Sequence, residues 1–190
     1  MADYLNRARL TVGLPLWRSR DIAWLALEGL CRQKKVNFEW ELLIREENYK
    51  EEIAILNGWK YKIPYEFGRE KVMEYESKLK DAGCVRIEYV GIKKPKKISK
   101  SNRKGGVHLS NKWTSMARSS SKNSLCFLLA AGDNYPQPYR LRETYDIFLN
   151  NDCDWVQSPK GIFYNFENKE SLLFDITISE KFKNSSGLNM

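Results

Sequence analysis

No aspartate or glutamate occurs between Lys93 and Lys122, although ten basic residues crowd that stretch: Lys93, Lys94, Lys96, Lys97, Lys100, Arg103, Lys104, Lys112, Arg118 and Lys122. A loop that only solvates itself normally mixes signs, so this absence argues against one. Histidine is nearly missing too. The single His108 would have to be the base of any Ser/His/Asp set, and it sits among the lysines. No glycine-rich phosphate loop and no nucleophile elbow occurs. The four cysteines, Cys31, Cys84, Cys126 and Cys153, are too far apart for a C-x-x-C ligand pair, which argues against a compact zinc site. Cys31 and Cys84 read as small buried hydrophobes. No run approaches the about 18 apolar residues of a membrane helix. Met1 to Arg9 is charged where a signal peptide would be apolar, so the expectation is a cytoplasmic or nucleoid-associated protein with no membrane contact.

What is present is charge in one place. The 190 residues carry a formal net charge of +8. Residues 1–84 hold 15 basic against 14 acidic side chains, residues 85–125 hold 11 against 1, and residues 126–190 hold 6 against 9. A concentrated positive field attracts polyanions, and nucleic-acid backbones are the usual ones. At 42% hydrophobic and 13% aromatic the chain can bury one core or two small ones.

Along the chain, 8–14 reads as a short strand or extended arm. A helix begins at Ser19 as N-cap, buries Ile22, Leu25, Ala26, Gly29 and Leu30 on one face, and closes with Arg32, Lys34 and Lys35. Residues 39–56 mix Leu42, Leu43, Tyr49, Ile53 and Leu56 with many charges. They read as one or two amphipathic helices ending at Asn57-Gly58, with Glu46, Glu47, Glu51 and Glu52 on a solvated face. A further helix runs from Pro64 to Gly83, its Val72, Tyr75 and Leu79 forming an inward stripe. Val85, Ile87 and Tyr89 alternate as in a half-buried strand, and Val107 and Leu109 alternate again after the basic stretch, giving strand, long hairpin, strand.

The run Glu70-Lys71-Val72-Met73-Glu74-Tyr75-Glu76-Ser77-Lys78-Leu79-Lys80-Asp81-Ala82-Gly83-Cys84-Val85 resembles the recognition helix and first wing strand of a winged helix-turn-helix DNA-binding domain, over about residues 17–113. The resemblance implies an α+β fold: a winged-helix domain at 1–114 with a long basic wing, a Ser-rich linker at 115–124, and a small α+β module at 125–190. It implies a recognition helix that offers Tyr65, Arg69, Lys71, Glu74 and Lys78 to the major groove, Arg69 being the base reader. Lys93, Lys94, Lys96, Lys97, Lys100, Arg103 and Lys104 of the wing would supply salt-dependent phosphate contacts. The bland alternative has Arg69, Lys71 and Lys78 pairing with Glu66, Glu74 and Glu70 on a soluble helix.

The expected function is therefore non-catalytic DNA binding, in transcription, replication initiation or a nucleoprotein assembly. Duplex DNA is favoured, RNA is the alternative, and no cofactor or metal is implied. The tail module offers a homodimer or protein contact, and its aromatic residues are candidates to stack on unpaired bases. An enzymatic alternative is a metal-dependent nuclease that gathers Asp146, Asp152, Asp154 and Asp175 around Mg²⁺.

Overall fold

The computed structural model describes residues 8–17, 19–47, 51–56, 59–64, 66–92, 109–129, 135–151, 160–165 and 170–175. In chain order the elements are β1 (Leu10–Leu16), α1 (Ala23–Cys31), β2 (Trp40–Glu47), β3 (Glu51–Leu56), β4 (Trp59–Pro64), α2 (Arg69–Met73), α3 (Glu76–Asp81), β5 (Cys84–Ile92), α4 (Leu109–Ser119), β6 (Cys126–Leu129), α5 (Arg140–Asn150), β7 (Lys160–Asn165) and β8 (Glu170–Asp175). They fall into two units, Met1–Asn151 and Asp152–Met190. Within the second, β7 and β8 pair as an antiparallel hairpin, Lys160 opposite Asp175 and Asn165 opposite Glu170.

The centre of the first unit is a four-stranded sheet in the order β5-β2-β1-β6. Every neighbour in it is parallel. Parallel strands require crossovers, and a sheet of this kind must be covered on both faces. On one face Leu10, Val12, Leu14 and Leu16 of β1 and Trp40, Leu42 and Ile44 of β2 form a continuous apolar layer. Ala23, Ala26, Leu27 and Leu30 of α1, Val72 of α2, Leu79 of α3 and Leu141 of α5 cover it. Gln33 ties α1 to the start of α5: its amide nitrogen donates to Gly29 O and Gln137 O, and its amide oxygen accepts from Leu141 N.

The opposite face is polar. Thr11 and Glu41 hydrogen-bond across β1 and β2 at 2.7 Å, and Glu41 also takes Ser121 N, Ser121 Oγ and Arg86 Nη1. Arg45 donates to Ser115 Oγ and Ser119 Oγ of α4 and pairs with Glu88 at 2.5 Å, while Arg86 also pairs with Glu88. Helix α4 thus lies on this face through serine hydroxyls, Met116 and Lys112. Buried charges are tolerated only when paired, and each of these is.

The mixture of helices and strands implied by the expected α+β class is present, and β1 and β5 overlap the strands expected at 8–14 and 85–90. A parallel sheet, however, does not fit a typical winged helix-turn-helix domain. The strand at 84–92 pairs in parallel with β2, and Leu109 opens a helix where a return strand was expected. Of residues 39–56, expected to be helical, 40–47 are β2 and 51–56 the first strand of an antiparallel hairpin. The misreading has a physical cause. Glu41, Arg45, Glu46 and Glu47 are almost fully buried, whereas charged residues ordinarily mark a solvated face.

The expected helix at 64–83 is broken into α2 and α3, with Val72 and Leu79 buried and Tyr75 packed against the core as the stripe required. Gly83 stops it with φ +91°, a left-handed conformation that glycine adopts at little cost. The expected linker at 115–124 instead continues α4 through Ser119 and supplies Ser121 and Ser124 to the buried network, so no boundary falls there.

Gly29 sits where α1 meets the chain before α5. A Cβ there would lie 2.5 Å from Pro136 Cδ and 2.8 Å from Pro136 N, against backbone that cannot rotate away. Gly29→Ala is therefore expected to lower stability by about 1–3 kcal/mol despite alanine's better helix propensity, read from the midpoint of denaturant unfolding at unchanged slope.

Candidate functional site

Because the four strands are parallel, their carboxyl ends share one edge: Leu16, Glu47, Ile92 and Leu129. From β1 the chain proceeds to β2 and β5 on one side and later to β6 on the other, so the order reverses between β1 and β6. In open α/β sheets the crevice outside the carboxyl ends at such a reversal is where ligands bind.

The groups fixed at this edge are unusually polar. Glu46, next to last in β2, has its carboxylate buried and fully engaged: Oε1 accepts from Ser19 Oγ at 2.6 Å and Phe67 N at 2.6 Å, Oε2 from Gly68 N at 2.9 Å and Tyr89 Oη at 2.8 Å. It pins the turn after β1, the turn before α2 and the end of β5 to one point. Beside it Glu47 pairs with Lys112 at 2.9 Å, and the same ammonium donates to Leu16 O at 2.8 Å. Lys112 belongs to the first turns of α4 and is as buried as its partner.

Two further groups are left with something to do. Glu66 Oε2 is buried and has no hydrogen-bond partner. Burial raises the Glu66 carboxyl above its ordinary 4.5, and the neighbouring Glu46 charge raises it further. Burial, followed by the Glu46 charge, likewise raises the Tyr89 phenol, which keeps it a donor. Trp17, directly after β1, is 46% exposed, and Trp113 and Leu109 are exposed one turn apart on α4. By contrast the thiols are chemically quiet: burial pushes Cys84 up to about 12, and Cys31 and Cys126 up to about 11.

The sequence-predicted residues fare unevenly. Arg69, Lys71 and Lys78 are exposed on α2 and α3, with Lys71 over the Phe67 ring at 5.5 Å and Lys78 over Tyr75 at 5.7 Å. Lys78 lies 3.8 Å from Glu28 of α1 and not beside Glu70. Tyr65 lies outside the described residues, as do Lys93, Lys94, Lys96, Lys97, Lys100, Arg103 and Lys104. Lys112, counted with the basic block, is taken out of the outward field by Glu47.

Ser19, expected to cap α1, instead turns its hydroxyl to Glu46, and its carbonyl accepts from Ile22 N and Ala23 N. Tyr145 stacks on Phe38 at 4.1 Å and Phe148 packs on the core, so these two tail aromatics are structural. Asp146 pairs with Arg142 in the first unit, whereas Asp175 belongs to the second. Asp152 and Asp154 lie outside the described residues. Among the described residues no group of three or more His, Cys, Asp or Glu is arranged to hold a metal ion, and no helix is long and apolar enough to cross a membrane.

Sequence reasoning missed Glu46, Glu47, Ser19 and Glu66. The signal was there in the pair of acids closing the apolar run Leu42-Leu43-Ile44, a pattern of strand ends that was taken for a helix surface.

No protein-family model and no curated protein matches this chain. Eleven solved chains do. One is the crystal structure of TarS from S. aureus, at 12% identity and a TM-score of 0.47, the match taking in 73% of this chain and 19% of that one.

Two outcomes follow from the edge geometry. Glu46→Ala strands four donors and is expected to cost about 2–5 kcal/mol in unfolding free energy, whereas Tyr89→Phe, which removes one of them, is expected to cost only about 1 kcal/mol. Glu66→Gln is expected to stabilise the protein at neutral pH. A raised carboxyl favours the folded state only while protonated, so the advantage of Gln grows as pH rises through 4.5 and disappears below it; unfolding midpoints across a pH series measure this.

Proposed function

We propose that the first unit binds a nucleotide, most naturally as a nucleoside diphosphate or a donor carried on one, in the crevice at the carboxyl ends of β1 and β6. The observation that supports this reading is the strand order: β5-β2-β1-β6, all parallel, is the arrangement of a mononucleotide-binding half of a doubly wound fold, with its reversal at β1/β6. The edge offers what a nucleoside needs in part: exposed indole of Trp17 for a base or sugar face and the buried acceptor of Glu66 for an N–H or hydroxyl. The turn after β1, Trp17-Arg18-Ser19-Arg20-Asp21, has no glycine, so a dinucleotide fingerprint is excluded and phosphate must be met by side chains or a bound cation. After β6 the chain continues as Ala130-Ala131-Gly132-Asp133-Asn134, whose carboxylate and amide make Asp133 and Asn134 the first positions to vary.

A second reading keeps the nucleic-acid function expected from sequence, and the observation favouring it is the uninterrupted basic stretch, which follows β5 in the chain. It does not require a winged helix. Lys93, Lys94, Lys96 and Lys97 would then contact phosphates, with the exposed Arg69 of α2 as a further candidate.

Thermal unfolding in the presence of nucleoside mono-, di- and triphosphates, with and without Mg²⁺ or Mn²⁺, separates the two. A ligand at about 100 times its Kd is expected to add about 2.7 kcal/mol to stability, and Asp133→Ala is expected to remove most of that gain. No shift with any nucleotide, alongside salt-dependent binding of duplex DNA that weakens in the variant with Lys93, Lys94, Lys96 and Lys97 changed to Ala, would sink the nucleotide reading in favour of the second.

A further inference from the structure

Strand β2 is followed by an antiparallel ribbon, β3 and β4, which pairs with no other described strand. Its register sets Leu56 opposite Trp59, Ala54 opposite Tyr61 and Glu52 opposite Ile63, with Ile55 opposite Lys60 and Ile53 opposite Lys62 in between. In sequence the second strand alternates ring and cation, Trp59-Lys60-Tyr61-Lys62, opposite the apolar run Ile53-Ala54-Ile55-Leu56 of the first. The ribbon is also graded along its length. Glu51 and Glu52 stand at the end joined to the sheet, and towards the tip the only charges are lysines. Trp59 at that tip is 72% exposed, and Lys60 beside it is exposed.

An isolated two-stranded hairpin is marginal in water, and one ending in exposed tryptophan and alternating Trp-Lys-Tyr-Lys gains from a partner that takes the rings and lysines together. An anionic lipid surface has that chemistry. Aromatic rings settle at the level of the headgroups while lysines meet the negative surface potential. The charge of the chain agrees with it, because β5, the neighbour of β2 in the sheet, is followed in sequence by Lys93, Lys94, Lys96 and Lys97. We infer that the β3–β4 hairpin, about 20 Å long at a strand rise of about 3.4 Å per residue, is a docking element that sets its Trp59 tip into an anionic membrane interface. The inference departs from the sequence-based expectation of no membrane contact and is independent of what the crevice binds.

The test is sedimentation of the full chain with vesicles of phosphatidylcholine alone and with vesicles that also contain phosphatidylglycerol, with tryptophan emission recorded in parallel. The expected result is capture by the anionic vesicles alone, a blue-shifted emission whose shift is lost in Trp59→Ser, and partitioning about fivefold weaker for each of Lys60→Ala and Lys62→Ala. Lys60→Glu, which keeps every apolar group, is expected to weaken capture further while leaving the unfolding midpoint in place. Three results would overturn the inference: no capture by anionic vesicles; capture indifferent to Trp59→Ser and Lys60→Glu and lost only when Lys93, Lys94, Lys96 and Lys97 are changed to Ala; or self-association in sedimentation velocity, abolished by Trp59→Ser, with no vesicle binding. The last would make the hairpin a contact between two copies.

Discussion

The first unit depends on burying the charged side chains of one strand. β2 carries Glu41, Arg45, Glu46 and Glu47 into the interior, and each needs a partner because an uncompensated buried charge is far more costly than the pair is favourable. The partners come from every neighbouring segment. Thr11, Arg86 and Ser121 answer Glu41; Ser115, Ser119 and Glu88 answer Arg45; Ser19, Phe67, Gly68 and Tyr89 answer Glu46; and Lys112 answers Glu47. Satisfying β2 therefore assembles the unit, and the same contacts decide which turn meets which at the carboxyl edge.

The two faces of the sheet consequently do different work. The apolar face, with α1, α3 and α5, supplies non-directional burial and tolerates rearrangement of similar volumes. The polar face under α4 is directional, because a serine hydroxyl or a guanidinium satisfies its partner in one geometry only. A helix held by Lys112, Ser115 and Ser119 is registered against β1 and β2 to within a hydrogen bond, and its beginning is thereby fixed beside Leu16 and Glu47. Precision at the carboxyl edge is what such bonds provide.

How much of this was legible in the residues varies by element. Helical spacing located the Val72-Tyr75-Leu79 stripe, because α2 and α3 have one buried and one solvated side, the condition under which periodicity carries information, and alternation located β5, whose Ile87 and Tyr89 pack against the core. β2 is covered on both faces and charged on both, so its pattern imitated an amphipathic helix. The helix stop expected at Asn57-Gly58 lies outside the described residues, but the strands on either side of it, paired from Leu56 opposite Trp59, rule out a helix ending there. At the candidate site, exposed Arg69, Lys71 and Lys78 were visible as charges, whereas Ser19, Glu46 and Glu66 were not, since their importance lies in who faces them.

By itself the sequence determined the quantities that do not depend on neighbours: the +8 charge and its concentration between Lys93 and Lys122, the scarcity of histidine, the stop at Gly83 and the Val72-Tyr75-Leu79 stripe; the face expected for α1 shifted, with Ile22 exposed and Ala23 and Leu27 buried. Only the tertiary structure decided that the strands run parallel, that their order reverses between β1 and β6, and that Glu46 is an interior anchor and not a surface acid. The reason is physical: local periodicity reports which side of one element is covered, but the direction of a neighbouring strand and the partner of a buried charge are set by groups distant in the chain, such as Lys112 for Glu47.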